Sequence, residues 1–231
     1  MVFNGLQKLT LLDFPGKVAC TLFTAGCDFR CPFCHNASLV YRDDKLEAFT
    51  EDDILSFLKK RQGILEGVAV TGGEPMLNSG LPDFMAKIKA LGYAVKLDTN
   101  GSYPDRLKYV IEKGLADKIA VDIKNSKEKY GITVGIPDYD IKPIEESVNI
   151  LLNSDIDYEL RTTVTENFHD TDDFIKIGEW IKGAKAYSLQ NFVDSGELID
   201  GSIKGVSPET MHSYLTVVQK YIPNAQLRGV E

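Results

Sequence analysis

The sequence lacks long apolar runs, an excess of basic charge and, for its length, cysteine. No stretch of about 18 apolar residues occurs in the 231-residue chain, so nothing in it is expected to span a membrane. Its start, MVFNGLQKLTLLDFPGK, has no basic segment followed by an apolar run, so no signal peptide is expected. Four cysteines do not suggest a secreted fold stapled by disulfides. We therefore expect a cytoplasmic protein without a membrane partner.

Basic residues are outnumbered, with 26 Lys and Arg against 34 Asp and Glu and a formal net charge of −8. The basic cluster Lys59-Lys60-Arg61 lies at the end of a helix-like run, where positive side chains oppose the helix dipole. A nucleic-acid surface needs clustered Lys and Arg to neutralise phosphates, so no nucleic-acid partner is expected. The charge balance fits an enzyme that acts on a small molecule or one that docks a protein.

Short β-branched runs alternate with longer amphipathic runs along the chain. The predicted strands are Val18–Phe23, Gly67–Thr71, Ala94–Asp98, Lys118–Ile123, Tyr158–Val164 and Ala186–Phe192. The predicted helices are Glu51–Arg61, Leu81–Leu91, Pro104–Lys113, Pro143–Asn153, Thr171–Ile181 and Pro208–Tyr221. Such alternation predicts an α/β fold with parallel strands joined by right-handed crossovers. Six units are too few for a standard barrel of roughly 250 residues, which leaves a partial barrel or a doubly wound sheet.

No linker divides the chain, and the longest irregular stretch is Asn125–Lys142. This stretch contains several glycines and prolines, and it is predicted to be either a lid or substrate loop or a simple surface excursion. Apart from it, polar and glycine residues collect where the predicted strands end. These strand-end segments are the cysteine loop after the first strand, TGGEP (71–75), DTNG (98–101), VDIK (121–124), ELRTTV (159–164) and LQNF (189–192). Their convergence predicts an active site at the carboxyl edge of the sheet.

The cysteine loop, TAGCDFRCPFCHN, holds three of the four cysteines. A structural zinc ion normally takes four Cys or His ligands, and His35 cannot easily fold back beside Cys34 to complete such a set. Cys20 shares a strand face with Val18 and Leu22, so it is predicted to be a core residue. Three thiolates on a 4Fe–4S cube would leave one iron open for chemistry. A zinc-binding or electron-carrier module is the non-enzymatic alternative.

The spacing Cys27-x-x-x-Cys31-x-x-Cys34, with Phe33 before the last cysteine and a Gly-Gly-Glu-Pro after the next strand, resembles the signature of the radical S-adenosylmethionine (SAM) enzymes. CPFCHN, DFPGK, DTNG and VDIK resemble the glycyl-radical-enzyme activases, above all the longer form of the anaerobic ribonucleoside-triphosphate reductase activating proteins. The resemblance implies a partial (β/α)6 TIM-like barrel of the radical SAM type. It implies a single domain over residues 1–231, with a core at about 12–192 and a C-terminal extension, 193–231, that contains a helix.

The resemblance also implies the cofactors, a 4Fe–4S cluster held by Cys27, Cys31 and Cys34, and SAM. The open iron would bind the amino and carboxylate groups of SAM, and reduction would release methionine and a 5′-deoxyadenosyl radical. The residues implied to hold SAM are Phe33, Gly72, Gly73, Glu74, Asp98, Thr99, Asn100, Asp122, Lys124 and Arg161.

Roles follow from the same resemblance. Phe33 would border the adenine, and the Gly72–Glu74 segment would lie against the methionine amino group, where glycine allows close backbone approach. Lys124 and Arg161 would meet the carboxylate or the ribose. For Arg161, an ion pair with an acid such as Glu159 is the alternative.

In some activases a monovalent cation helps to hold SAM. Here such a cation would lie near Asp98 and Asp122, with Thr99 as a further oxygen ligand. At the end of the sixth strand, where some activases carry a histidine, this chain has Gln190 and Asn191.

The remaining polar residues are predicted to be outside the chemistry. His35 is interpreted as a hydrogen bonder that orders the cysteine loop, because abstraction of a hydrogen atom needs no general base. His169 and His212 are predicted to be surface residues. The C-terminal QLRGVE lacks the pattern around a radical-bearing glycine and is interpreted as an ordinary tail.

Two enzymatic functions are consistent with these residues. The first is activation of a partner glycyl radical enzyme, anaerobic ribonucleoside-triphosphate reductase by resemblance, with flavodoxin or ferredoxin as the reductant. The cysteine count supports it, because the three clustered cysteines leave too few thiols to build an auxiliary cluster. The second is a radical SAM enzyme with a small-molecule substrate, similar to a 7-carboxy-7-deazaguanine synthase.

Overall fold

A computed structural model describes residues 1–42, 45–194, 196 and 198–229. Contacts within the chain divide it into two units. The first unit comprises Met1–Asp28, Ser38–Thr99 and Tyr103–Ile119, and the second comprises Phe29–Ala37, Asn100–Ser102 and Ala120–Glu231. Each unit has its own set of strands and helices.

Over the described residues of the first unit there are four longer strands, a two-stranded ribbon and four helices. In chain order they are β1 (Val2–Phe3), β2 (Gly5–Thr10), β3 (Ala19–Thr24), α1 (Ala37–Tyr41), β4 (Phe49–Thr50), α2 (Glu51–Lys59), β5 (Gly67–Gly72), α3 (Leu81–Ala90), β6 (Ala94–Thr99) and α4 (Pro104–Glu112). The sheet order is β6-β5-β3-β2, with β2 antiparallel to β3 and the other pairs parallel. β1 and β4 form the antiparallel ribbon.

The start of α2 shows why these residues form this element. Thr50 accepts a hydrogen bond from the backbone of Asp53, whose side chain accepts one from the Thr50 backbone in return. This capping box satisfies donors that the first turn of a helix otherwise leaves open. Ile54 and Leu58, four residues apart, lie on one face and are fully buried.

The second unit begins within the next strand, and the part of it that the structure describes contains three further strands and four helices. They are β7 (Lys118–Asp122), whose last three residues belong to this unit, α5 (Tyr130–Thr133), α6 (Lys142–Leu152), β8 (Asp157–Val164), α7 (Thr171–Trp180), β9 (Tyr187–Asn191), α8 (Pro208–Val218) and β10 (Gln226–Arg228). The strand order is β10-β9-β8-β7, and β9 is parallel to both of its neighbours.

The six predicted strands correspond to β3 and β5–β9, and the six predicted helices to α2–α4 and α6–α8. Strand ends agree within one residue and helix ends within three. The α/β prediction is therefore confirmed. The sequence patterns did not indicate β1, β2, β4, β10, α1 and α5. All of these except β2 have five residues or fewer, so their periodicity is too brief to recognise. The single domain over 1–231 stays a prediction.

The first half of the Asn125–Lys142 stretch has regular structure and is partly buried. It holds a 3₁₀ turn, Lys127–Lys129, followed directly by α5, and Tyr130 and Val134 are essentially inaccessible. A simple surface excursion is therefore wrong for this half, while a lid or substrate loop stays a prediction.

Two predictions are wrong, one that His169 is a surface residue and one that the C-terminal residues form an ordinary tail. His169 is only 5% exposed, and Gln226–Arg228 forms β10 against β9 instead of an ordinary tail. Cys20 is fully buried and His212 is exposed, as predicted. In the described part of the chain, no helix is long and apolar enough to cross a membrane.

Candidate active site

In the first unit, the loops after β3 and β5 are joined by their backbones. The N–H of Gly73 donates to the carbonyl of Thr24 (2.8 Å), and the N–H of Glu74 donates to that of Gly26 (2.8 Å). A Cβ on Gly72 would collide with the backbone of Thr24, and one on Gly73 would collide with the carbonyl of Gly26. The glycines are needed because the chain's own backbone, leading to Cys27, fills the space that a side chain would take.

Glu74 is fully buried, and its side chain is engaged inside the protein. Oε1 of Glu74 accepts hydrogen bonds from the N–H of Met76 (2.9 Å) and from the hydroxyl of Thr99 (2.7 Å). The carboxylate thus ties the loop after β5 to the end of β6. In this arrangement Glu74 is a positioning residue, and the backbone of Gly72–Glu74 is the part that can face a ligand.

Asp98, also on β6, is ion-paired with Lys96. Lys96 was not among the site residues predicted from the sequence. The signal was present, because a lysine interrupts the apolar run around Val95 and Leu97 and stands two residues before Asp98, on the same strand face.

In the second unit, Asp122 is held between two cations. Nζ of Lys124 lies 2.9 Å from one carboxylate oxygen, and Nε of Arg161 lies 3.0 Å from the other. Burial would raise the pKa of Asp122, but Lys124 and Arg161 outweigh it and hold the pKa well below its ordinary value. Burial would conversely lower the pKa of Lys124, and Asp122 more than offsets this. The alternative for Arg161, an ion pair with a nearby acid, is therefore confirmed, but the acid is Asp122. Glu159, the acid named as an example, binds Arg228 instead (2.6 Å).

Lys124 also lies beside the second half of the cysteine loop. Its Nζ is 5.8 Å from the ring centroid of Phe33, a ring that is nearly inaccessible. Burial raises the pKa of the Cys31 thiol to about 12, while the positive charge of Lys124 acts in the opposite sense. The N–H of Cys34 donates to the carbonyl of Cys31 (3.0 Å), which turns the chain between the two thiols. None of the chain's four cysteines is in a disulfide.

Three thiols that are not in disulfides are soft donors, and the positive charge of Lys124 partly offsets the effect of burial on the Cys31 thiol. This donor set fits an iron–sulfur cluster. Among the residues that the structure describes, no three His, Cys, Asp or Glu side chains are grouped so that they could hold one metal ion.

His169 is a positioning residue that sequence reasoning did not find. Its Nδ1 accepts from the N–H of Thr165 (3.2 Å), so its Nε2 carries the proton and donates to the carbonyl of Lys124 (2.9 Å). Burial lowers the pKa of His169, which keeps the ring neutral. The contact fixes the backbone from which the Lys124 side chain extends.

The other predicted neighbours of the site have structural partners. His35 stacks on Phe192 with ring centroids 5.0 Å apart, and burial lowers its pKa. Asn191 exchanges hydrogen bonds with the backbone of Val206 (2.9 and 3.1 Å). Asn100 accepts from the N–H (2.9 Å) and hydroxyl of Ser102, which closes a turn after β6.

The predicted residues are divided between the units. The first unit holds Cys27, Gly72, Gly73, Glu74, Asp98 and Thr99, and the second holds Cys31, Phe33, Cys34, Asn100, Asp122, Lys124 and Arg161. Within the first, the structure brings Glu74 and Thr99 together. Within the second, it brings Asp122, Lys124 and Arg161 together.

Residues 21–181 match the family model of the radical SAM superfamily, and the chain belongs to that superfamily. It is therefore an enzyme, with a fold of the partial TIM-like barrel type. Membership implies a 4Fe–4S cluster and SAM as its cofactors.

Three relatives bear on the type of radical SAM enzyme. A protein of Methanocaldococcus jannaschii, named as a candidate glycyl-radical enzyme activating enzyme, is 26% identical over 238 residues, covering 98% of this chain and 95% of its own length. The GTP 3′,8-cyclase of Helicobacter pylori is 30% identical over 167 residues, 69% of this chain and 50% of the cyclase. The anaerobic ribonucleoside-triphosphate reductase-activating protein of Escherichia coli is 29% identical over 94 residues, 39% of this chain and 60% of that protein.

Among solved structures, SuiB of Streptococcus suis bound to S-adenosylmethionine superposes with a TM-score of 0.66 at 16% identity. The match covers 89% of this chain and 48% of SuiB, so the chain spans about half the length of that protein. At this identity the likeness concerns the fold alone.

Proposed function

We propose that this chain is an activase whose 5′-deoxyadenosyl radical abstracts the α-hydrogen of a glycine in a partner glycyl radical enzyme. The observation that carries the proposal is the end-to-end match, over 98% of this chain and 95% of the relative, to a candidate activating enzyme. We take residues 1–231 as one radical SAM domain, with a core at about 12–192 and an extension at 193–231.

Cys27, Cys31 and Cys34 are proposed to hold the cluster. When bound, the reduced cluster supplies the electron that cleaves SAM to methionine and the 5′-deoxyadenosyl radical. The chain's own task in the first unit is to present backbone carbonyls of Gly72–Glu74 to the methionine amino group. The buried bond between Glu74 and Thr99 holds that backbone in place.

In the second unit, Lys124 and Arg161 are proposed to bind the carboxylate or ribose of SAM, with Asp122 beside them. Asp122 holds the two cationic side chains at hydrogen-bonding distance from itself, so their donors are already oriented when the ligand arrives. Phe33 supplies an apolar wall for the adenine. Asn100 is proposed to shape the turn after β6. The resemblance also implies a monovalent cation near Asp98 and Asp122, which a dependence of SAM affinity on sodium or potassium would reveal.

The partner is proposed to be anaerobic ribonucleoside-triphosphate reductase, and the reductant flavodoxin or ferredoxin. The named E. coli activating protein supports this partner over 94 aligned residues. We propose a cytoplasmic location, where thiols stay reduced.

The second candidate is a radical SAM enzyme for a small molecule. It is favoured by one observation, the 30% identity to GTP 3′,8-cyclase over 69% of this chain. That match covers only half of the cyclase, whereas the match to the candidate activating enzyme extends over nearly all of both chains.

Electron paramagnetic resonance tests the first proposal directly. The reconstituted, reduced protein is incubated with SAM and the ribonucleotide reductase, or another glycyl radical enzyme, from the same organism. A glycyl doublet in the partner is expected. A SAM-cleaving protein that produces no doublet in any candidate partner would refute the activase proposal and favour the small-molecule reaction.

Matched cysteine variants test the cluster assignment in the same assay. Cys31→Ala should abolish SAM cleavage, because it removes one of three thiolates. Cys20→Ala should retain cleavage, since Cys20 is a fully buried residue of β3 outside the loop. Cleavage that persists in Cys31→Ala would contradict the assignment.

A further inference from the structure

Lys96 is a buried lysine in the middle of β6. Its side chain is 2% exposed, and its ammonium is ion-paired with Asp98, which is 13% exposed. Residues two apart on a strand point to the same face, so the pair lies on one side of β6. Val95 and Leu97, which point to the opposite side, are fully buried too. Lysine is almost never found at such burial without a specific partner.

Stability alone is a poor explanation for this pair. Removing both charges from water offsets most of their attraction, and apolar residues of similar volume commonly stabilise a fold as well or better. An ammonium has three donors, and among the described residues Asp98 is the one hydrogen-bond partner of Lys96. Two donors of a desolvated cation thus remain for a ligand that carries oxygen acceptors.

We propose that Lys96 is a built-in counter-ion. Its ammonium takes the place of a dissociable monovalent cation beside Asp98 and donates to the methionine carboxylate of SAM. Potassium, sodium and an ammonium group each carry one positive charge that a carboxylate can bind. Asp98 is already paired with the ammonium group of Lys96, which is covalently attached to the chain. The inference rests on SAM as cosubstrate and holds whichever substrate the radical attacks.

In the second unit too, a carboxylate is paired with cationic side chains of the chain itself. Asp122, the other carboxylate expected near a cation, is already paired with Lys124 and Arg161. Both carboxylates are thus compensated by covalently attached cations. No dissociable cation is needed to keep either charge stable.

Binding of SAM to the wild-type protein gives the first test. The reconstituted protein is titrated with SAM by calorimetry under anaerobic, non-reducing conditions, in tetramethylammonium, sodium and potassium salts of equal ionic strength. The dissociation constants should agree within about twofold, which is a small change on the free-energy scale. Affinity that rises about tenfold or more with potassium or sodium would overturn the proposal.

The variant Lys96→Met gives the second test, because methionine keeps the length and removes the charge. In tetramethylammonium it should bind SAM about tenfold or more weakly than wild type, and potassium or sodium should restore most of the loss. Lys87→Met is the matched control, since Lys87 is 52% exposed on α3, and it should bind like wild type in all three salts.

Two results with the variant would contradict the counter-ion. One is wild-type affinity in every salt, and the other is a loss that no cation restores. Thermal unfolding of the cluster-free proteins checks that each variant is folded. If Lys96→Met does not fold, the salt series on the wild-type protein still decides. A glycyl radical is not measured, so failure here is distinct from failure of the proposed activase function.

Discussion

In the first unit, the loops that carry Cys27 and Gly73 are held together by short backbone hydrogen bonds and by the absence of side chains. In the second unit, the cysteine loop has a side-chain cluster beside it, in which Asp122 is bound by Lys124 and Arg161. A side-chain atom added where two backbones pack closely causes a collision that the whole loop must relieve. A substitution in a partly exposed ion cluster removes one ion pair and leaves the others in place. Substitutions in the two units should therefore differ in how abruptly they act.

The largest effect is expected from Gly73→Ala. Its Cβ would collide with the carbonyl of Gly26, and a rigid backbone cannot give way as a side chain can. We expect a loss of about 3 kcal/mol in the free energy of unfolding, at the high end for overpacking, together with reduced iron incorporation. Urea unfolding and iron analysis measure both.

Gly80→Ala is the control for that variant. Gly80 precedes α3 with an ordinary φ of −79°, and no atom lies within 4 Å of a Cβ built there. It should unfold like wild type. An equal loss in the two variants would show that close backbone packing is not the cause.

A smaller effect is expected from Thr99→Val. The change removes the hydroxyl that donates to the buried carboxylate of Glu74, and a hydrogen bond to a charged group contributes about 1.5–3 kcal/mol. Urea unfolding measures the loss, and Thr99→Ser should recover most of it because the donor returns. If serine and valine behave alike, the hydrogen bond is not what holds the loop.

The ion cluster of the second unit should respond to pH. Lys124 and Arg161 lower the folded-state pKa of Asp122 below its unfolded value, so this stabilisation is present above about pH 4 and is lost as the pH falls further. Asp122→Asn should cost about 1–2 kcal/mol at pH 7, since two charge-assisted bonds that are partly exposed become weaker.

Urea unfolding of the cluster-free proteins between pH 7 and pH 3 measures this difference. The wild-type and Asp122→Asn stabilities should converge as the pH falls. A difference in stability that stays constant from pH 7 to pH 3 would mean that the charge of Asp122 does not stabilise its ion pairs with Lys124 and Arg161.

The smallest effect is expected from Ser126→Ala. The hydroxyl of Ser126 donates to buried Asp173 (2.8 Å), which is also bound by Lys129, so the loss should be about 1 kcal/mol. Hydrogen exchange should become faster in residues 125–134, with SAM affinity within about twofold of wild type. Ser213→Ala, at an exposed position of α8, should change neither.

The core strands and helices could be predicted from the sequence, whereas α1 and β10 could not, and the difference has a physical reason. The strands and helices of the α/β core repeat a pattern of apolar and polar residues over several positions, and a helix cap such as Thr50 acts within one turn. Both signals can therefore be recognised from residues close together in the sequence. Helix α1 and strand β10 are too short to show a period. Strand β10 exists because Leu227 pairs with Leu189, far away in the chain.

The candidate site divides in the same way. Cys27, Cys31, Cys34 and the Gly72–Gly73 pair were identified because their spacing is a local property of the chain. Lys96 was missed although its place in the apolar run, two residues before Asp98, is visible in the sequence. His169 was missed because a histidine beside a helix is ordinary until its burial is known.

The sequence by itself determined the order of elements, the family and the chemistry that three clustered thiols can support. Only the tertiary structure decided which charges meet. It paired Arg161 with Asp122, and Glu159 with Arg228, which is 69 residues away in the chain. Local periodicity is encoded between neighbours, whereas the partner of a charge depends on distance and desolvation, which exist only once the chain has folded.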